Sequence, residues 1–445
     1  MPNTTIQVIG AGLAGTEAAW QIARAGLGVT LYEMRPIRTT PAHRTDQFAE
    51  LVCSNSLKSE SENTAPWLLK QELRKLDSLA MQAAAAARVP GGHALTVDRD
   101  VFSSYITEAL ESTGLVEVRR EEVTRIPDGV VVIASGPLTS DALSDDIARL
   151  TGSNRLYFYD AISPIVDAET IDYSIAFRAS RYGKSLDNGD DYVNCPMNRD
   201  EYEQFVDAIL GAQTYESCFD EKIPFFEACL PIEEIARRGR DTLRFGPLKP
   251  VGLTDPRTGR WPYAVVQLRQ ENLRAASYNL VGFQNHLKFA EQKRILRLIP
   301  GLANAEFLRF GQIHRNTYIN APSLLTPALQ LRAEPRIFFA GQISGVEGYL
   351  EAISTGLMAG RFAAQSTQSD QLRAWPRETA LGSLTHYLTS ADPANYQPAN
   401  ITFDLLPALD ERTRNRLRND KKARHAEVCR RAAEAMEEHC HAVYA

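Results

Sequence analysis

The stretch "TTIQVIGAGLAGTEAAWQIARAGLGVTLYE", residues 4–33, narrows the choice of fold more than any other part of the chain. Residues 5–9 have the apolar, β-branched character of a short buried strand. Gly10, Gly12 and Gly15 follow in a G-x-G-x-x-G frame, and apolar spacing then predicts a helix to about Ala25. "GVTLYE" predicts the next strand, ending at Glu33. Each glycine has a task in such a unit: a tight turn at Gly10, close approach of backbone to a pyrophosphate at Gly12, and close helix–strand packing at Gly15. The helix start, with Ala11, Leu13 and Ala14 around it, offers free N–H groups and partial positive charge to phosphates. Glu33, 23 residues after Gly10, stands where an acidic side chain binds a ribose diol. The expectation is an α/β, Rossmann-like dinucleotide-binding domain.

Two later segments select FAD over a nicotinamide. "GVVVIASGP" (129–137) reads as a buried strand leading to Gly136, suited to a second crossing beside the dinucleotide. "RIFFAGQISGVEGYLEAISTGLMAGRFAA" (336–364) reads as a strand, a glycine turn holding Gly341 and Gln342, and a long helix near Tyr349. A chain that returns to its first domain after some 200 residues to place a second helix N-terminus needs an extended ligand, and FAD has the length. A positive helix end also favours an anionic reduced flavin. The middle of the chain repeats no such glycine frame, so a separate NAD(P)H domain is not expected.

The resulting organisation is a glutathione-reductase-like flavoprotein with an insertion. Residues 1–160 form the first part of the FAD-binding domain, 161–304 an inserted α+β domain, and 305–445 the second part with a basic C-terminal helix. Pro164 and Pro300–Gly301 mark the hinges. "MQAAAAARVPGGHALTVDRDVF" (81–102) reads as a separate excursion, with a short alanine helix and a turn at Gly91–Gly92. The opening residues lack the basic and apolar blocks of a secretory signal, and no run is apolar enough for a membrane span. Six cysteines at irregular spacing form neither a disulfide framework nor a zinc knuckle. A cytoplasmic protein without metal is expected.

Net charge is −6, but basic residues gather in "MRPIRTTPAHR" (34–44), "RRGRDTLRFGPLK" (237–249) and "RTRNRLRNDKKARH" (412–425). Local patches govern attraction to phosphates. Two thiols have unusual settings. Cys53, in "ELVCSNSLKSE", follows two apolar residues and opens a polar loop. Cys229, in "FFEACLPIEE", precedes a Pro-initiated helix with Arg237, Arg238 and Arg240 about two turns on. A flavin disulfide reductase would carry paired cysteines, so dithiol exchange is disfavoured.

The segments "GAGLAG…EMRP", "ELVCSNSLKSE", "GGHALTVDRD", "FFEACLPIEE", "GFQNHLKFAEQKR", "HRNTYINAP" and "FAGQISGVEGYLEA" together resemble the folate- and FAD-dependent bacterial tRNA uracil-5-methyltransferases, from residue 5 to about 365. The resemblance implies transfer of a one-carbon unit from 5,10-methylenetetrahydrofolate to uracil C5 in the tRNA T loop, with reducing equivalents from NAD(P)H through FAD. It implies Cys229 as nucleophile at C6 and Cys53 as the proton-handling partner, with exchanged roles left open. Arg237, Arg238, Arg240, Arg416, Lys421 and Lys422 would hold tRNA phosphates. Tyr349 would stack a pterin or base, and Asn285, His286 and Lys288 are candidate folate or RNA contacts. Two other readings remain at this point: an FAD oxidoreductase for a small substrate, and an RNA-binding protein in which FAD is structural.

Overall fold

A strand buried on both faces must be apolar throughout, and the first segment meets that demand. In the computed structural model, which describes residues 5–152, 156–186, 189–215, 230–369 and 371–444, Thr5–Ile9 is a strand, Leu13–Arg24 a helix and Gly28–Tyr32 the next strand. Ile6 and Val8 are fully buried at the centre of a six-stranded sheet. From one edge to the other it runs Gln330–Leu331, Glu334–Phe339, Val131–Ile133, Thr5–Ile9, Gly28–Tyr32 and Val116–Arg119. All pairs are parallel except the first. Strand Glu334–Phe339 thus enters beside Val131–Ile133 after the long excursion that the sequence pattern predicts.

The helix that follows it, Tyr349–Ser366, lies against the first helix. Small residues allow this contact. A Cβ on Gly356 would collide with the Ala14 carbonyl oxygen, and one on Gly360 would lie 2.6 Å from that of Ala18. Two glycines one turn apart bring the two backbones together and bind the early and late parts of the chain into one core.

The excursion carries its own antiparallel sheet, ordered Phe177–Arg178, Tyr192–Met197, Ala264–Gln270, Ser277–Leu280, Ile165–Asp167 and Phe307–Arg309. Its last strand lies past residue 304. The helix Arg199–Leu210 covers this sheet and begins with a capping box between Asn198 and Glu201. Val193, Phe205, Leu268, Phe283 and Ile299 form its separate hydrophobic core. A two-stranded antiparallel ribbon, Leu156–Ala161 against Ile313–Tyr318, carries the chain into and out of this region.

The alanine-rich segment is not an excursion. Its helix, Leu79–Ala86, buries Ala80, Ala83 and Ala84 in the first core. Strand Ala94–Val97 then pairs with Ser56–Ser59, a few residues after Cys53. Alanine is small enough to sit wholly inside, which hydropathy contrast alone does not reveal. Among the described residues, no helix is long and apolar enough to cross a membrane.

A buried carboxylate ties the C-terminal region to this core. Glu72, in the helix Ala65–Lys75, accepts from Ala380 N (2.7 Å) and Leu381 N (2.9 Å) at the start of the helix Ala380–Ser390. Burial pushes its carboxyl up to about 8, against the lowering effect of those two N–H groups. Its folded-state pKa exceeds its unfolded value, so its contribution is complete below about pH 4.5 and is lost as pH rises toward 8. Thermal melts of the wild type should therefore fall by several degrees between about pH 5 and about pH 8 relative to Glu72→Gln. Parallel pH profiles of the two proteins would refute this assignment.

Candidate functional site

The glycine turn leaves one side of the first helix open. Gly10 has φ of 99°, and a Cβ on Gly15 would collide with the Gly10 carbonyl. Around Gly12, by contrast, a Cβ would meet nothing within 4 Å. Gly12 is the N-cap and no side chain caps this helix; the same holds for Gly348 at the start of the Tyr349 helix. Two uncapped helix starts therefore face one cleft, lined by Gly10, Gly12, Leu13, Ala14 and Glu33, by Gly136, and by Gly341, Gln342 and Tyr349. These groups come from the three segments that the sequence analysis selected. Ala11 and Gly15 stand behind the wall: Ala11 N donates to Glu33 Oε2 (3.1 Å), and Gly15 provides the close packing.

Glu33 is buried, which raises its pKa, but Arg35 and backbone N–H groups outweigh burial and hold the carboxyl below its usual range. Arg35 Nε lies 2.9 Å from Glu33 Oε1, and Arg35 Nη1 lies 3.2 Å from Glu50 Oε2. His43, nearby in the cleft, is pushed down to about 4, first by burial and then by the Arg35 charge. The imidazole is therefore neutral at physiological pH. The 34–44 cluster is thus not uniformly a solvated basic face: Arg35 is internal, whereas Arg38 pairs with Glu122 near the surface and Arg44 is exposed. Charge in a sequence does not distinguish buried cations from solvated ones.

Cys53 lines a second space, next to Val52, which borders both that space and this cleft. Its backbone N donates to the Tyr349 hydroxyl at 2.7 Å, and Ser54 N does so at 3.1 Å. Arg99, paired with Glu271 at 2.5 Å, donates to the carbonyl oxygens of Leu51 and Cys53. Arg269 reaches the Asn55 and Ser54 side chains. The thiol, which is in no disulfide, lines a cavity of about 350 Å³ between the two cores. Arg269, Asn279 and Gln284 come from the second core, and Lys58, Gln342, Gly348 and Tyr349 from the first. Val52, Pro137, Leu138, Gln342 and Tyr349 border both spaces. Burial, and secondarily the adjacent thiol, push the Tyr349 phenol above its usual range, so it stays protonated.

Cys229, with Cys218, lies outside the described residues. The helix Ile232–Arg237 starts after Pro231, and Ile232 N donates to Gln284 O at 2.7 Å. Burial alone pushes Cys195 up to about 12, and burial with the Glu72 charge does the same for Cys429. Neither has thiolate character.

The expected polyanion contacts divide. Arg240 pairs with Glu203 and Asp207, and Arg237 with Glu234, all near the surface. Such pairs contribute little and can exchange for phosphate; Arg238 also has a partner. Arg416, Lys421 and Lys422 are exposed at the C-terminal helices Glu411–Arg416 and Lys421–Tyr444. Asn285 and His286 are not surface contacts. They are 1% and 5% exposed; His286 pairs with Glu233, and Asn285 holds its own turn through Phe283 O and Leu287 N. Lys288 reaches Gln213 at the surface.

The cleft fits FAD on three counts: backbone open to a ligand at Gly12, two uncapped helix starts, and an ionised Glu33 on the wall. Among the described residues, no group of three or more His, Cys, Asp or Glu side chains forms a metal site. The family model described as glucose inhibited division protein A matches residues 5–371. A methylenetetrahydrofolate–tRNA-(uracil-5-)-methyltransferase TrmFO of Solibacter usitatus (strain Ellin6076) is 69% identical over 440 residues, covering 98% of this chain and 99% of that protein. Its counterpart from Koribacter versatilis (strain Ellin345) is 61% identical, covering 97% and 96%. Among solved structures, GidA of Aquifex aeolicus superposes with a TM-score of 0.71 at 18% identity, over 98% of this chain and 73% of that one.

Proposed function

The chain belongs to the glucose inhibited division protein A family, and on that premise we propose that it is a methylenetetrahydrofolate–tRNA-(uracil-5-)-methyltransferase that acts on the T-loop uridine. The observation that supports this most directly is that Cys53 lines the inter-core cavity beside Val52 and Tyr349, which border both that cavity and the dinucleotide cleft. FAD, when bound in the cleft, supplies electrons that reduce the transferred carbon to a methyl group; NAD(P)H is the proposed source of those electrons.

The protein's own part follows from the chemistry of uracil. C5 is a poor nucleophile until a thiolate adds at C6 and moves electron density toward C4 and C5. After the carbon is attached at C5, the C5 proton must leave, and a positioned base removes it. Cys229 is the proposed C6 nucleophile, on its sequence setting, and Cys53 the proton-handling group. Glu33, Gly12 and the first helix start would hold the dinucleotide. Gly136, Gly341, Gln342 and Tyr349 would shape the other wall of its site. The target base must leave its stack to enter the cavity. Arg237, Arg238, Arg240, Arg416, Lys421 and Lys422 would hold phosphates without reading sequence.

The test is methylation of a T-loop RNA by the flavoprotein with labelled methylenetetrahydrofolate and NAD(P)H. Label should reach uracil C5, and omission of folate or reductant should each abolish product. Salt-sensitive RNA binding with no label transfer would overturn the reading.

A further inference from the structure

The cavity beside Cys53 contains a lysine that the scheme above does not use. Lys58 Nζ lies 2.6 Å from Glu351 Oε1 and 2.5 Å from Asn400 Oδ1. Three segments, separated by about 290 and about 50 residues, converge on this ammonium, and Lys58, Gly348 and Asn400 all line the cavity. Glu351 stands behind it, fully buried in the first turn of the Tyr349 helix.

Several features show how strongly this placement is held. Lys58 has φ of +60°, a conformation that L-residues other than Asn, Asp and Gly seldom adopt. Lys70, itself fully buried, donates to the carbonyls of Leu57 (2.9 Å), Lys58 (3.4 Å) and Ser59 (2.6 Å), fixing the backbone that carries Lys58. Gly348, with φ of +105°, leaves the necessary room: a Cβ there would lie 2.9 Å from Lys58 Nζ and 2.5 Å from Glu351 Oε2. Glu351 Oε1 also accepts from Ile401 N at 2.8 Å, whereas Oε2 has no hydrogen-bond partner among the described residues. The carboxylate is therefore committed to holding the ammonium from one side.

An ammonium has three donors, and Glu351 and Asn400 take two. We infer that Lys58 is a catalytic residue whose remaining N–H, held at the cavity wall by Glu351 and Asn400, binds the uracil C4 oxygen as negative charge collects on it. This rests on the activity proposed above. When the sulfur–C6 bond forms, the C5–C6 π pair shifts to C4–C5 and the C4–O4 π pair moves onto O4. An adjacent, preorganised cation stabilises that oxyanion more than the neutral carbonyl, and so lowers the barrier to addition. The charge returns to the ring as C5 attacks the methylene. Loss of the C5 proton then restores the enolate, which expels the tetrahydrofolate amine and leaves an exocyclic methylene on C5. A hydride supplied from NADPH by way of FAD adds to that carbon, and the enolate so formed expels the thiolate and regenerates the C5–C6 double bond. Glu351 is a positioning residue in this scheme.

The experiment is single-turnover release of tritium from C5 of [5-³H]uridine in T-loop RNA, with the FAD-loaded enzyme, methylenetetrahydrofolate and NADPH. FAD content and RNA affinity are measured alongside. Lys58→Met should release tritium about 100-fold more slowly or worse, with FAD content and RNA Kd within about twofold. Wild-type release by Lys58→Met, or a loss of RNA affinity equal to the loss in rate, would overturn the assignment. If Lys58→Met is not recovered as a flavoprotein, Lys58→Arg decides. It keeps the charge but displaces the donor, and should be about tenfold slower with unchanged RNA Kd; a wild-type rate would overturn the assignment. Wild-type enzyme that releases no tritium would instead overturn the proposed activity, and this inference with it.

Discussion

Cys53→Ala should retain its yellow FAD and its RNA affinity while losing methylation by about 10³-fold, the middle of the range for a positioned acid or base. Cys53 N donates to the Tyr349 hydroxyl and Cys53 O accepts from Arg99, and both bonds survive in alanine. The side chain is only partly buried, at the edge of a cavity, so its removal opens little new void. A loss of activity therefore reports chemistry and not collapse of the loop. Single-turnover label transfer, with absorbance of bound FAD as control, reads the result. Activity within a few-fold of wild type would remove Cys53 from the mechanism.

The second large effect concerns the glycine frame. Gly15→Ala should be recovered without FAD, with a melting temperature lowered by at least a few degrees. Its Cβ would collide with the Gly10 carbonyl oxygen, and a backbone atom cannot rotate away. Overpacking ordinarily costs about 1–3 kcal/mol, and here relief requires the turn and helix to separate. Gly12→Ala provides the contrast. Gly12 has φ of −77° and an added Cβ meets nothing in the protein, so this variant should fold with wild-type stability. Its methyl group nevertheless projects at the open helix start, and FAD affinity should fall by about tenfold or more. Thermal melts of the two apoproteins and FAD titration would separate the roles. Equal melting temperatures for both variants would refute the packing argument.

The parts of this site legible in the sequence are those whose meaning is local. Gly10, Gly12, Gly15 and Glu33 lie within one strand–turn–helix–strand unit, so their spacing carries their geometry. Gly136, Gly341 and Gln342 follow strands of the same kind. Cys53 was conspicuous because a thiol at the start of a polar loop fits poorly with a core. The settings of Arg99 and Lys58 were not legible, because nothing near them in the chain marks the carboxylates that hold them. Arg99 depends on Glu271, and Lys58 on Glu351 and Asn400, all far away in sequence. The burial of Asn285 and His286 was not legible for the converse reason: polar residues satisfied inside a protein, Asn285 by backbone groups and His286 by Glu233, resemble surface residues in a sequence.

The late entry of strand Glu334–Phe339 has a consequence during synthesis. Val131–Ile133 emerges from the ribosome with one neighbour, Thr5–Ile9, and lacks the other until about 200 further residues have been made. The intervening region holds nearly all the partners of its own sheet by Arg309, so it can condense while the first half waits as an open apolar edge. Chains of this kind pair late and over long range, which slows maturation and exposes nascent protein to aggregation. A stalled or truncated translation product ending near residue 320 would thus contain one finished body and one adhesive half-sheet. Such fragments should be prime clients for chaperones, however robust the completed enzyme.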